Sequence, residues 1–349
     1  MTPPAKRSSP GLTVAVTGPT GDIGKAFVGA LERSRSVRKV LGMARRPFDP
    51  AAQGWRKTEY RQGDVLDRAA VDDLVKGADV VVHLAFIIFG SQRETREVNL
   101  EGSRNVFEAA AGARRVKRLV YASSVAAYGF HDDGDRPERF TEDVPPRGTE
   151  RFYYSAQKAE LEGLLDEVLA TARGTQAYVF RPCIVAGPGA LILIENLPYV
   201  SLSEKLPGAV RRLLDVMPVL RPVLPDPGLP FQLVHTDDVA SALRAAVLGR
   251  GTPGVYNLAA DGVLTMSDLA DALGWYSVPV PELAVDATAH VAARLPFLPP
   301  EADWLQAFRV PTLMDASKAR RELAWRPRHD ARDTLRETVR AAREEGLLD

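Results

Sequence analysis

Near the N-terminus Leu12, Val14 and Val16 alternate with Thr13 and Ala15, an apolar run whose period predicts a strand. From Asp22 onward Ile23, Ala26, Phe27 and Leu31 take up helical spacing. Residues 37–43 predict a second strand, and a third ends at Gln62-Gly63-Asp64-Val65 before a helix over 68–76. Residues 78–85, ADVVVHLA, form a continuous apolar run, as expected of a central parallel strand buried on both faces. His83 inside that run reads as a satisfied core histidine. Val98, Val106, Phe107 and Ala110 predict a helix over 98–112, and residues 117–122 a strand leading into Ser123 and Ser124. After a polar loop over 130–151, a helix runs from Tyr153 to about Thr171, then a strand over 176–180. Strands alternating with helices mean βαβ units and a parallel sheet.

The second half changes character. Residues 187–230 combine many prolines with Leu191, Ile192, Leu193, Ile194, Leu197, Leu202 and Leu206, and a helix is expected over 209–216. Residues 234–248 read as a short strand and then a helix capped by Thr236 or Asp237. A strand over 254–258, a capped helix over 265–273 and terminal helices over 316–323 and 332–343 complete the pattern. The expected fold is α/β: a Rossmann-type, doubly wound parallel sheet with a smaller mixed C-terminal substrate-binding cap. Residues 1–10 are expected as a disordered tail and 11–186 as the nucleotide-binding domain, to which 231–262 return. Residues 187–230 and 263–349 supply the cap and C-terminal helices.

Between the first strand and helix, Gly18, Gly21 and Gly24 stand three apart in TGPTGDIG. A tight turn needs a residue without a Cβ, and close backbone approach to a pyrophosphate needs another. The helix start that follows offers unpaired N–H groups and a positive dipole end to phosphate. An acid at the end of the second strand would accept from a ribose 2′-OH, whereas arginine favours a 2′-phosphate. This chain has Arg45 and Arg46 there, and no acid.

Composition narrows the class. The 349 residues suffice for a substantial core, and 45% hydrophobic with 26% charged residues is the balance of a soluble globular protein. A formal net charge of zero gives no electrostatic case for nucleic acid or membrane binding. The single cysteine, Cys183, excludes an intrachain disulfide and a cysteine-based metal site, and no metal is expected. The polar, proline-rich first residues lack the apolar core of a signal peptide, and the longest apolar stretch, 78–89, is too short to span a bilayer. A cytoplasmic protein is expected.

Tyr154 and Lys158 are four apart and share a helix face. A tyrosine is a poor base near neutrality, but a nearby ammonium favours its phenolate. Such a tyrosine can exchange a proton with a secondary alcohol while hydride moves to or from a nicotinamide. Ser124, at the carboxyl end of a parallel strand, stands where open α/β sheets bind ligands.

The ordered set Thr17-Gly18-Pro19-Thr20-Gly21-Asp22-Ile23-Gly24, Asp64-Val65, His83-Leu84-Ala85, Asn99, Ser124, Tyr128-Gly129, Tyr154-x-x-x-Lys158 and Arg181-Pro182 resembles the extended short-chain dehydrogenases/reductases, the group with the NAD-dependent epimerases and dehydratases. His235-Thr236-Asp237-Asp238-Val239-Ala240, Tyr256-Asn257-Leu258 and Leu323-Ala324-Trp325-Arg326-Pro327 extend the likeness to about Pro327. The resemblance implies Ser124 as donor to the substrate oxygen, Tyr154 as acid/base, Lys158 as ribose ligand and tyrosine activator, and Asn99 as a structural or proton-relay residue. It implies cofactor contacts from Gly18, Thr20, Gly21, Asp22, Ile23, Gly24, Asp64, Val65, Leu84, Ala85, Phe86, Ser123, Tyr154, Lys158, Pro182 and Ile184. It also implies a homodimer through the helices starting near Asn99 and Tyr153, where Ala109, Ala110, Ala156 and Ala159 allow close helix approach.

Three departures shape the expected activity. The arginines at the second strand end favour NADP(H), with NAD(H) possible. Val125 and Ala126 follow Ser124 where sugar 4,6-dehydratases carry an Asp-Glu pair, which disfavours that elimination. Arg181-Pro182-Cys183 replaces the aromatic-asparagine pair of many nucleotide-sugar epimerases and is commoner in relatives acting on steroid-like or flavonoid ketones. The leading expectation is an oxidoreductase acting on a ketone or secondary alcohol more apolar than a nucleotide sugar, held by the aliphatics of 187–230 and by Phe86, Ile87, Ile88 and Phe89. A nucleotide-sugar epimerase with tightly held NAD is the alternative, with Asn196, Arg211, Arg212 and Arg309 as diphosphate ligands. A non-catalytic dinucleotide sensor has no need of Ser124, Tyr154 and Lys158.

Overall fold

A computed structural model describes residues 11–131, 134, 136–172, 174–197, 199–200, 222–280 and 310–348. The tail over 1–10, the helix expected over 209–216, and Leu202, Leu206, Leu213, Leu214, Val216, Arg211, Arg212 and Arg309 lie outside the described residues.

The chain runs β1 (Leu12–Thr17), α1 (Asp22–Glu32), β2 (Val37–Ala44), β3 (Thr58–Gln62), α2 (Arg68–Val75) and β4 (Val80–His83). There follow α3 (Gln92–Arg96), a π-turn (Glu97–Glu101), α4 (Gly102–Gly112), β5 (Arg118–Ala122), a 3₁₀ turn (Val125–Tyr128), α5 (Tyr153–Thr171) and β6 (Gln176–Pro182). The remainder is β7 (Ile184–Ala186), α6 (Ile192–Glu195), β8 (Val223–Asp226), β9 (Leu233–His235), α7 (Thr236–Val247), β10 (Gly254–Leu258), α8 (Met266–Leu273), β11 (Tyr276–Pro279), α9 (Ser317–Glu322) and α10 (Ala331–Glu344).

Seven strands pair in the order β10-β6-β5-β4-β1-β2-β3, and every pairing is parallel. The chain leaves β1 for β2 and β3 on one side, then crosses to β4 on the other. Strand order therefore reverses between β1 and β4, and in open α/β sheets ligands bind at such a crevice. Burial explains the sequence pattern: all four residues of β4 are buried, between one apolar cluster containing Phe27, Val28 and Leu243 and another containing Val71, Phe107 and Leu161. His83 takes the place expected of it. Its Nδ1 lies 2.7 Å from Thr17 Oγ1 and its Nε2 2.8 Å from Ser103 Oγ.

Local signals start several helices. Asp67 accepts from the backbone N–H of Ala69 and Ala70 ahead of α2, and Thr265 with Asp268 forms a capping box on α8. The cap of α7 differs from expectation. It is His235, whose Nδ1 accepts from the Asp237 N–H at 3.1 Å, not Thr236 or Asp237. A histidine ring can cap because neutral imidazole keeps one acceptor nitrogen.

The cap segment has its own apolar core. Leu191, Leu193, Ile194 and Leu197 are buried with Leu233, Leu264, Leu269, Leu335 and Val339. These four aliphatics, expected to hold substrate, instead join α6 to α8 and α10. Beside them β7 pairs with β9 and β8 with β11 in two short parallel ribbons. The alanines expected at a helix–helix interface are likewise used within the chain. Ala109 and Ala110 are buried beside Val106 and Leu119, and a Cβ on Gly148 would come 3.0 Å from both Ala156 Cα and Ala159 Cβ.

Candidate active site

The glycine turn sits at the point where strand order reverses. Gly18 has φ +73°, and its N–H donates to Met43 O at 3.0 Å. A Cβ on Gly18 would lie 2.7 Å from Ala85 N, so only glycine lets the turn close on the end of β4. A Cβ on Gly24 would overlap the Gly18 carbonyl oxygen and lie 2.8 Å from Pro19 C. Gly21 is exposed and caps α1 without a side chain, so the first N–H groups of α1 have no side-chain cap. This cradle fits a pyrophosphate by the donors it presents and the side chains it lacks.

The neighbouring strand ends meet the same crevice. Arg45 and Arg46 follow β2 and are exposed. Among the described residues neither guanidinium has a carboxylate partner, while their carbonyls accept from Gln62 Nε2 and Tyr60 OH. After β3, the Asp64 carboxylate accepts from the Leu66 N–H at 3.0 Å, and Asn105 holds the Val65 carbonyl. Leu84 and Ala85 continue from β4 beside the turn, Leu84 N donating to Thr17 O at 3.1 Å. Pro182 and Ile184 stand at the end of β6 and in β7.

Ser124, Tyr154, Lys158, Phe86 and Ser123 converge. Ser124 caps the 3₁₀ turn, its Oγ accepting from Ala126 N at 3.1 Å, and its hydroxyl shares a hydrogen bond with Tyr154. The Tyr154 ring meets Phe86 edge-on at 5.5 Å. Lys158 is buried. Its Nζ donates to Ala122 O at 2.9 Å and lies 3.8 Å from the Phe86 ring centre and 5.9 Å from that of Tyr154.

Burial outweighs the expected activation of the tyrosine. It raises Tyr154 above the ordinary phenol value, opposed by the hydrogen bond to Ser124, while the Lys158 Nζ is turned to the Ala122 carbonyl and the Phe86 ring. Burial also pushes Lys158 down to about 7, with the Glu162 carboxylate acting in the opposite sense. The site therefore presents a protonated phenol beside a hydroxyl: a proton donor and an oxygen-holding group.

Asn99 stands apart from this group, in the π-turn. It accepts from Ile87 N at 2.8 Å and donates to Ile87 O at 2.9 Å and to Gln157 Oε1 at 2.8 Å. Both donors are thereby used, and the side chain clamps the chain after β4. Glu162, which the sequence reading passed over, is buried one turn from Lys158. Its place four residues after Lys158, on the same face of the helix, was the available signal.

Among the described residues His235, His329 and Glu337 come close enough to share an ion. The rings of His235 and His329 stack at 3.9 Å, so their in-plane lone pairs do not converge. Nδ1 of His235 already accepts a hydrogen bond, which puts its proton on Nε2. No described helix is long and apolar enough to cross a membrane.

A parallel sheet with this strand order and a glycine cradle at its crossover defines a dinucleotide-binding α/β enzyme. Residues 14–259 match the family model for the NAD dependent epimerase/dehydratase family, and the chain belongs to that family. It is 32% identical over 181 residues to sterol demethylase protein B of Methylococcus capsulatus, covering 51% of this chain and 52% of that one. It is 38% identical over 194 residues to human 3 beta-hydroxysteroid dehydrogenase type 7, covering 52% of each. The matches thus span about half the length of these two curated relatives. In fold it resembles the crystal structure of UDP-glucuronic acid 4-epimerase from Bacillus cereus in complex with NAD, with TM-score 0.70, 17% identity, and 96% of this chain and 99% of that one covered.

Proposed function

We propose that the protein is an NADP(H)-preferring oxidoreductase that reduces the ketone of an apolar small molecule. The observation that carries this reading is the hydrogen-bonded pair of Ser124 and Tyr154 hydroxyls beside the Phe86 ring. Ser124 holds the carbonyl oxygen, and Tyr154 gives it a proton as the carbonyl carbon becomes tetrahedral. A nicotinamide held in the cleft would supply the hydride. Lys158 and the glycine turn would hold that cofactor, Asp64 and Val65 would meet its adenine, and Arg45 and Arg46 would favour a 2′-phosphate through planar, permanently charged donors. Asn99 keeps the segment after β4 in place. That segment, half-buried at Phe86, Ile87 and Ile88 and exposed at Phe89, offers the substrate an apolar wall. Two relatives, a sterol demethylase protein and a hydroxysteroid dehydrogenase, are named for the same substrate class.

Of the residues proposed to hold a diphosphate, only Asn196 is among the described ones, and it gives one of its two Nδ2 hydrogens to Ile192 O at 2.8 Å. We read the chain as a two-fold dimer through the helices starting near Asn99 and Tyr153, α4 and α5, beside which an exposed groove carries Arg93, Arg104, Glu101 and Glu167 in mixed sign. Residues 187–230 and 263–349 serve as the substrate cap.

The test is NADPH oxidation with a panel of aromatic and polycyclic ketones against UDP- and dTDP-sugars, in wild type and Tyr154→Phe. Turnover on ketones is expected, falling by about 10²–10⁴-fold in Tyr154→Phe with NADPH binding intact. Undiminished turnover in that variant removes Tyr154 from the mechanism. Thermal stabilisation by a nucleotide sugar and by no ketone overturns the substrate class.

A further inference from the structure

Beneath the site lies a buried polar network. Glu162, on α5 one turn after Lys158, is 5% exposed and accepts from three donor atoms of two residues. Ser123 Oγ donates to its Oε1 at 2.5 Å, and Arg181 Nη2 to its Oε2 at 2.5 Å. Arg181 Nε donates to both oxygens, at 3.0 and 3.2 Å. Arg181, 2% exposed, also donates to Val144 O at 3.2 Å and stacks its guanidinium over the Tyr128 ring at 4.5 Å. One carboxylate thus ties together α5, the end of β5 beside Ser124, β6 and the loop before α5.

A buried ion pair is a poor way to gain stability, because two charges must be desolvated and well-packed apolar replacements often do as well. Its orientation here suggests another use. The pair turns its negative member toward Lys158, on the same helix face, and its positive member toward Tyr128 and Val144. Lys158 is otherwise surrounded by uncharged groups: the Phe86 ring, the Ala122 carbonyl, and the Tyr121 and Tyr154 rings at 5.2 and 5.9 Å. His83 on β4 and Tyr121 on β5 are both held neutral by burial, and Asp166 on α5 faces Glu162 and Arg181.

We propose that Glu162 is a positioning residue for this site, keeping Lys158 an ammonium and fixing Ser123, and through it Ser124, against Tyr154. The proposal rests on the Ser124–Tyr154–Lys158 reading above but is tested without substrate, so the two fail separately. Without Glu162 the burial of Lys158 has no opposing anion among the described residues, and its titration would move further down.

The experiment follows the lysine Cε resonances of protein labelled with ¹³C-lysine through a pH titration, with Lys158 assigned by the signal missing from Lys158→Met. In Glu162→Gln the Lys158 midpoint is expected to fall by about one pH unit or more, the order of effect that a neighbouring opposite charge produces. Glu162→Asp keeps the charge and is expected to restore most of the midpoint. Because Glu162→Gln strands Arg181 and can unfold the chain, Glu162→Gln/Arg181→Met, which removes both charges, is titrated alongside and is expected to show the same fall. A folded variant with lowered thermal stability but an unmoved Lys158 midpoint overturns the proposal and leaves the pair as a fold-bracing contact.

Discussion

Gly24→Ala isolates the geometry of the cofactor cradle. A Cβ there would lie 2.8 Å from Pro19 C and 2.9 Å from Pro19 Cα, besides overlapping the Gly18 carbonyl oxygen. Carbon atoms pack at about 3.5–4.0 Å, so the turn must open by more than about half an ångström. All three obstacles are backbone atoms, and no rotamer change removes them. Overpacking of this kind costs about 1–3 kcal/mol, partly offset by the roughly 0.5–1 kcal/mol that alanine gains over glycine in a helix. The net loss of stability is at most about 2.5 kcal/mol, a few degrees in melting temperature. The larger effect falls on the cofactor. Hydrogen bonds to a charged group contribute about 1.5–3 kcal/mol each, so losing one weakens binding by about 10- to 150-fold. Gly29→Ala, in the same helix, is the control: its Cβ meets only the flexible Arg33 Nη1 at 3.4 Å, and it should raise stability slightly with unchanged affinity. Calorimetric titration of NADPH into both variants, with thermal melts, provides the comparison. A Gly24→Ala protein that binds within twofold of wild type would refute the cradle as described.

Two further outcomes follow. Burial depresses His83 from its ordinary 6.5 to about 3, so the folded state resists taking up a proton that the unfolded chain accepts. Stability on this account is complete above pH 6.5 and falls by about 1.4 kcal/mol per pH unit from there toward pH 3; in urea unfolding at pH 7 and pH 4.5, the advantage of wild type over His83→Gln should shrink by about 2–3 kcal/mol, and a constant advantage would refute it. Arg45→Ala and Arg46→Ala should each weaken NADP(H) binding by about tenfold or more while leaving NAD(H) within about twofold; equal losses for both cofactors would show that these arginines do not meet a 2′-phosphate.

Much of the fold and part of the site were legible along the chain because they depend on near neighbours in sequence. The period of two in Leu12–Thr17, the buried run around Val80–His83 and the three-residue spacing of the glycines each state a backbone requirement on the spot. The four-residue step from Tyr154 to Lys158 likewise sets two side chains on one helix face, whatever surrounds them. What those side chains do was decided elsewhere. Lys158 faces the Ala122 carbonyl and Phe86 because β4, β5 and α5 pack together, and that packing raises the tyrosine expected to be activated. Leu191, Leu193, Ile194 and Leu197 are as apolar in the cap's own core as they would be against a ligand, and only the docking of α6 with α8 and α10 chose between the two. Glu162 and Arg181 are 19 residues apart, and their pairing depends on where β6 lies against α5. Periodicity records which face of an element is buried; only the assembled sheet and its covering helices decide what that face meets.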